Sequence, residues 1–61
     1  MTRDKAEYKM EMAAVLSGMS FHVVQDVTYR DEEPENAFYV CTDEDLETVF
    51  AGLDPVVSFE Q

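Results

Sequence analysis

A single cysteine, Cys41, stands in this chain of 61 residues, so no internal disulfide can brace the fold. A domain this short buries only roughly 60% of the surface its unfolded form exposes, and small domains offset that deficit with disulfides, a structural metal or association. One histidine and one cysteine are too few for a soft-metal site. The core must therefore come from apolar packing between well-specified elements, with a partner or a second copy as the remaining source of stability. Apolar residues make up 46% of the chain and seven residues are aromatic, enough to specify a folded core despite the charge. One domain covering residues 1–61 is expected.

The charge is split along the chain. Residues 1 to 25 hold Asp4, Glu7 and Glu11 against Arg3, Lys5 and Lys9 and balance to zero, whereas residues 26 to 61 hold eleven acids against Arg30 alone, which accounts for the whole net charge of −10. Such a surplus raises repulsion within the folded state but keeps a small domain soluble and steers it toward positively charged partners. It argues against direct binding to nucleic acid and to anionic lipid, both of which draw basic segments. No apolar run approaches the ~20 residues of a membrane span, and the charged N-terminus lacks the apolar stretch of a secretory signal. A cytoplasmic location, where a lone thiol stays reduced, is the expectation.

Thr2 is placed to cap a helix over Arg3 to Ser17, in which Tyr8, Met12, Val15, Leu16 and Met19 recur at three- and four-residue spacing and Gly18 supplies a left-handed end. From Ser20 to Arg30 the period falls to two, with Phe21, Val23, Val27 and Tyr29 on one face, which reads as a half-buried strand. The polar run Asp31 to Asn36 breaks it, and Ala37 to Thr42 is a second strand. Matching large apolar residues across the hairpin pairs Tyr29 with Phe38 and Val27 with Val40. Thr42 then caps a second helix in a box with Asp45, with Asp43, Glu44, Asp45 and Glu47 at the favourable end of its dipole, and Gly52 ends it after Ala51. Asp54-Pro55 opens a last strand, Val56 to Glu60, with Val57 and Phe59 facing inward.

The expectation is an α+β fold of order αββαβ: a three-stranded sheet with an antiparallel hairpin and a βαβ-type crossover, strand order 2-1-3 or 1-2-3, and both helices on one face. The other face would expose Val24, Tyr39, Cys41 and Val56, an apolar patch that an isologous homodimer would bury.

The residues offer little reactive chemistry. His22 and Cys41 are the only nucleophile-and-base pair, and the hairpin register above sets Cys41 opposite Asp26, roughly 13 Å along the strand from His22. The run Asp43 to Glu47 is rich in hard oxygen ligands but has the spacing of a capped helix rather than of a calcium loop. No glycine-rich phosphate loop is present, and a domain of this size rarely encloses the pocket that paired carboxylates need for acid–base work. Neither an enzyme nor a cofactor is expected.

What remains is the acidic surface. Asp31, Glu32, Glu33 and Glu35 fall at one end of the second strand and Asp43, Glu44, Asp45 and Glu47 at the other, about 20 Å away, spaced like a strip of backbone phosphates. Asp26 adds to this surface, and Tyr29, Tyr39 and Phe38 are the aromatic anchors nearest to it. In size, acidity and αβ character the whole chain resembles the small phage-encoded inhibitors of bacterial defence, the anti-CRISPR and anti-restriction proteins, several of which resemble nucleic acid in charge. The resemblance implies an inhibitor that docks on the basic channel of a larger protein or nucleoprotein complex, such as a CRISPR effector, in a bacterial cytoplasm. No single motif carries it, so it transfers no residue roles. The competing expectation is a dimeric structural or adaptor module without mimicry.

Overall fold

Thr2 opens the first helix, α1 (Arg3–Ser17), by accepting the Lys5 amide on its hydroxyl, and Gly18 closes it at φ 73°, its N–H donating to the Ala14 carbonyl. The computed structural model describes residues 1–61, and the remaining elements are β1 (Phe21–Gln25), a 3₁₀ turn (Pro34–Asn36), β2 (Phe38–Thr42), α2 (Asp43–Glu47) and β3 (Val57–Phe59). The order is αββαβ and the class α+β. The sheet runs β2-β1-β3, with β1 antiparallel to both neighbours. The two edge strands therefore run parallel to each other, as the 2-1-3 arrangement requires. No helix is long and apolar enough to cross a membrane.

β1 stops at Gln25 instead of continuing to Arg30 because the next residue offers the backbone a competing set of hydrogen bonds. The Asp26 carboxylate accepts from the Thr28 amide (3.0 Å), the Thr28 hydroxyl (2.7 Å) and the Tyr29 amide (3.2 Å), which curls the chain away from the sheet. The hairpin register shifts by four residues as a result. Val40 faces Val23 instead of Val27, and Phe38 faces Gln25 instead of Tyr29. An even shift leaves the side chains within the ladder on their expected faces, so Phe38 and Val40 still point toward α1, whereas Val27, beyond the strand end, is exposed and Tyr29 joins the core on the other face.

The face of α1 that packs on the sheet is not the one with the largest side chains. Ala6, Met10 and Ala14 are buried, while Tyr8, Met12, Val15 and Leu16 are exposed. Alanines at the contact let the helix lie close to the strands, where Met10, Val23 and Phe38 complete the core with Phe21, Val40, Val57 and Phe59 at its margin.

The two helices lie on opposite faces, which corrects the placement of both on one. Val24 and Cys41 point away from α1 into a second core completed by Phe50, with Leu46, Leu53, Tyr29 and Tyr39 around it. The expected bare patch thus does not exist: Val24 and Cys41 are 0% and 1% exposed. A homodimer across that face loses its motive. α2 is also shorter than the expected run to Ala51. Its capping box is complete, but Thr48 turns its hydroxyl onto the Glu44 carbonyl, and the Phe50 amide returns to the Asp45 carbonyl at 2.8 Å. β-branched Thr48 and Val49 weaken the helix there, and the tight turn drives Phe50 under the sheet.

Candidate protein-binding interface

β2 is an edge strand, and acids gather at both of its ends. Its five residues span about 17 Å, so the acidic turn before it and α2 after it frame one side of the molecule at nearly the spacing expected.

The nine acids singled out above divide into two groups once the contacts are known. Asp31, Glu33, Glu35, Glu44 and Glu47 are exposed and take no part in the side-chain bonds that hold the fold. Four acids do. Asp26 builds the turn after β1, and the Thr28 hydroxyl foremost holds its carboxyl below the ordinary carboxylate value. Glu32 turns inward to accept the Tyr39 hydroxyl and lies 3.8 Å from the Met1 amine. Asp45 accepts the Thr42 amide at 3.0 Å in the capping box. Asp43 Oδ1 lies within hydrogen-bond distance of His22 Nε2, at 2.5 Å. Asp26 and Asp45 bond within their own turns and so had local sequence signals, whereas the engagements of Glu32 and Asp43 depend on tertiary contacts.

Tyr29 and Tyr39 belong to an aromatic trio with Phe50. Tyr29 meets Tyr39 and Phe50 edge-on, with centroids 5.1 Å and 5.2 Å away, and Tyr39 stacks on Phe50 at 5.7 Å. The trio floors an open cleft of about 410 Å³ beside the β2 edge, walled by Val40 and Val49 and reached by Lys9, Arg30 and Asp45. Phe50 was not among the sequence candidates, since as a helix-stripe residue it carried no sign of meeting the tyrosines. Phe38, offered as an anchor, is buried against α1 and does not reach the cleft. The Arg30 guanidinium already lies over the Tyr29 ring at 5.3 Å, which shows that these rings accept a planar cation. Arg30 and Asp31 both take left-handed backbone angles, φ 72° and 54°, which turn the chain sharply into the acidic segment before β2. The Glu32 carboxylate bonded to the Tyr39 hydroxyl pushes that phenol up to about 12, so it is a neutral donor at physiological pH.

The register also brings together two residues that were expected to be far apart. His22 faces Cys41 directly across the β1–β2 ladder instead of Asp26 doing so. Even so, they form no nucleophile and base. Both ring nitrogens of the buried His22 are engaged, Nδ1 with Ser58 Oγ at 2.7 Å and Nε2 with Asp43, and burial foremost, with Asp45 and Asp43, pushes the Cys41 thiol up to about 11. Ser58, His22 and Asp43 do line up in the order of a hydrolytic triad. None of the three lines the cleft, and their contacts satisfy both nitrogens of a buried imidazole.

No family model, no curated protein and no solved structure matches the chain.

Proposed function

We propose that the protein is a binding inhibitor that lays its acid-rimmed β2 edge on the basic, nucleic-acid-handling surface of a larger protein or nucleoprotein complex in a bacterial cytoplasm. The observation that carries this reading is the placing of free carboxylates flanking an edge strand that also lines an aromatic cleft, with Asp31, Glu33 and Glu35 before the strand and Glu44 and Glu47 after it. The carboxylates supply long-range attraction and speed the encounter. The Tyr29, Tyr39 and Phe50 rings supply what charge alone does not, a desolvated seat for a lysine or arginine side chain of the partner. The reading is of the same kind as the anti-CRISPR and anti-restriction inhibitors that the chain resembles, and it assigns the protein no catalysis.

The test is competition. A tagged protein is used to capture its partner from a bacterial lysate at low salt, and the complex is then challenged with duplex DNA and with high salt. Release by both is the expected result, and the triple variant Asp31→Asn, Glu33→Gln, Glu35→Gln should capture far less. Glu32 is left intact in that variant because it holds Tyr39. A partner that resists both challenges, or that binds the triple variant equally well, would exclude mimicry and leave an ordinary interaction module.

A further inference from the structure

The large apolar side chains of α1 face solvent. Tyr8 is 65% exposed, Met12 43%, Val15 66% and Leu16 79%, and Met19 just past the helix end adds 54%. Their spacing sets them along one side of the helix, opposite Ala6, Met10 and Ala14. Together they leave on the order of 500 Å² of apolar side chain in water, near the upper limit for the largest patch on a monomeric protein. We infer that this face pairs with the same face of a second copy of the chain.

Charge selects the occupant. The patch lies on the one element whose charges cancel, Arg3, Lys5 and Lys9 against Asp4, Glu7 and Glu11, while the surplus of acids lies beyond residue 25. A second copy can approach here without setting acid against acid, whereas a basic partner is drawn to the acidic side. The area agrees: two such patches bury about 1,000 Å² in total, the size at which specific interfaces begin.

The same charges choose the direction of pairing. In a parallel pair Lys5, which lies on the exposed side near Tyr8 and Met12, would meet the partner's Lys5. In an antiparallel pair centred on Met12, Tyr8 packs on the partner's Leu16, and the charged first turns lie against the uncharged stretch from Ser17 to Met19. The inference does not depend on the proposed function, and salt separates the two. Screening weakens docking of an acidic rim on a basic partner but strengthens the association of two chains that each carry −10.

Sedimentation equilibrium on the full chain at low and high salt is the first test. The expected result is a species of twice 7.0 kDa, favoured by salt, with Leu16→Glu weakening association by about tenfold or more. A wild-type mass of 7.0 kDa at every concentration and salt, or a Leu16→Glu variant that associates like the wild type, would overturn the inference. Should Leu16→Glu lose its fold, Met12→Cys decides: mild oxidation should link two chains through position 12, because Met12 lies at the two-fold axis. Failure to link overturns the pairing, and a link through Tyr8→Cys instead overturns the antiparallel alignment.

Discussion

Val23 and Val24, consecutive in β1, are both fully buried, one in each of two cores on opposite faces of the sheet. A chain of this length has little material for two cores. It manages because β1 lies between the other strands, so Val23 is covered by α1 on one face and Val24 by Phe50, just beyond α2, on the other.

That arrangement predicts a specific cost. Val24→Ala should destabilise the fold by about 2 kcal/mol in urea unfolding, as deletion of a fully buried side chain does. In a domain whose net stability is roughly 3–5 kcal/mol, such a loss is readily seen. An unchanged midpoint would mean that the α2 side does not seal the second face.

His22 provides a matched pair of mutations. Ser58→Ala and Asp43→Ala each strip one ring nitrogen of a buried imidazole of its partner. Ser58 and Asp43 are both exposed, so water can take the vacated place, and each loss should stay near the low end of roughly 1–3 kcal/mol. Urea midpoints of the two variants give the comparison, and a loss well above that range at either position would contradict it.

The Tyr39 phenol titrates at about 12 in the folded protein, above its ordinary 10.0. A group whose folded value is raised lends stability that is complete below the unfolded value and lost as pH climbs through the folded one. Stability should therefore fall across the window from 10.0 to about 12. Glu32→Gln should bring the phenol back toward its ordinary value, read as an earlier rise in tyrosinate absorbance on alkaline titration.

Cys41 should react slowly with a thiol reagent at mildly alkaline pH in the native state and at once in urea. Burial and the neighbouring carboxylates hold it as the neutral thiol up to about 11. Rapid native labelling would show that the Phe50 side of the sheet opens readily.

Local signals made much of this fold legible in advance. Thr2 and Gly18 bound α1, and Thr42 with Asp45 starts α2, because capping depends on residues within one turn. What could not be read was which face of α1 packs. Its large apolar residues form the better stripe, yet the sheet takes the alanines, since close approach is decided by shape as well as by hydrophobicity. The end of β1 had a signal that alternation masked: Asp26 followed by Thr28 is the pattern of a side-chain-bonded turn, and recognising it would have corrected the register. The acidic positions of the candidate interface were plain from composition. Their division into structural and free carboxylates was not, because Glu32 and Asp43 find their partners only through tertiary contacts.

The separation of a neutral α1 from an acidic remainder across a thin sheet makes the molecule an electric dipole. In the field of a basic surface such as the proposed target offers, it would turn its acidic side forward before touching and leave α1 trailing into solvent. Docking in that attitude would leave the α1 face free. Two copies joined there would present two acidic rims, and a target with repeated basic sites would be held with the avidity of a bivalent ligand rather than the affinity of a single rim.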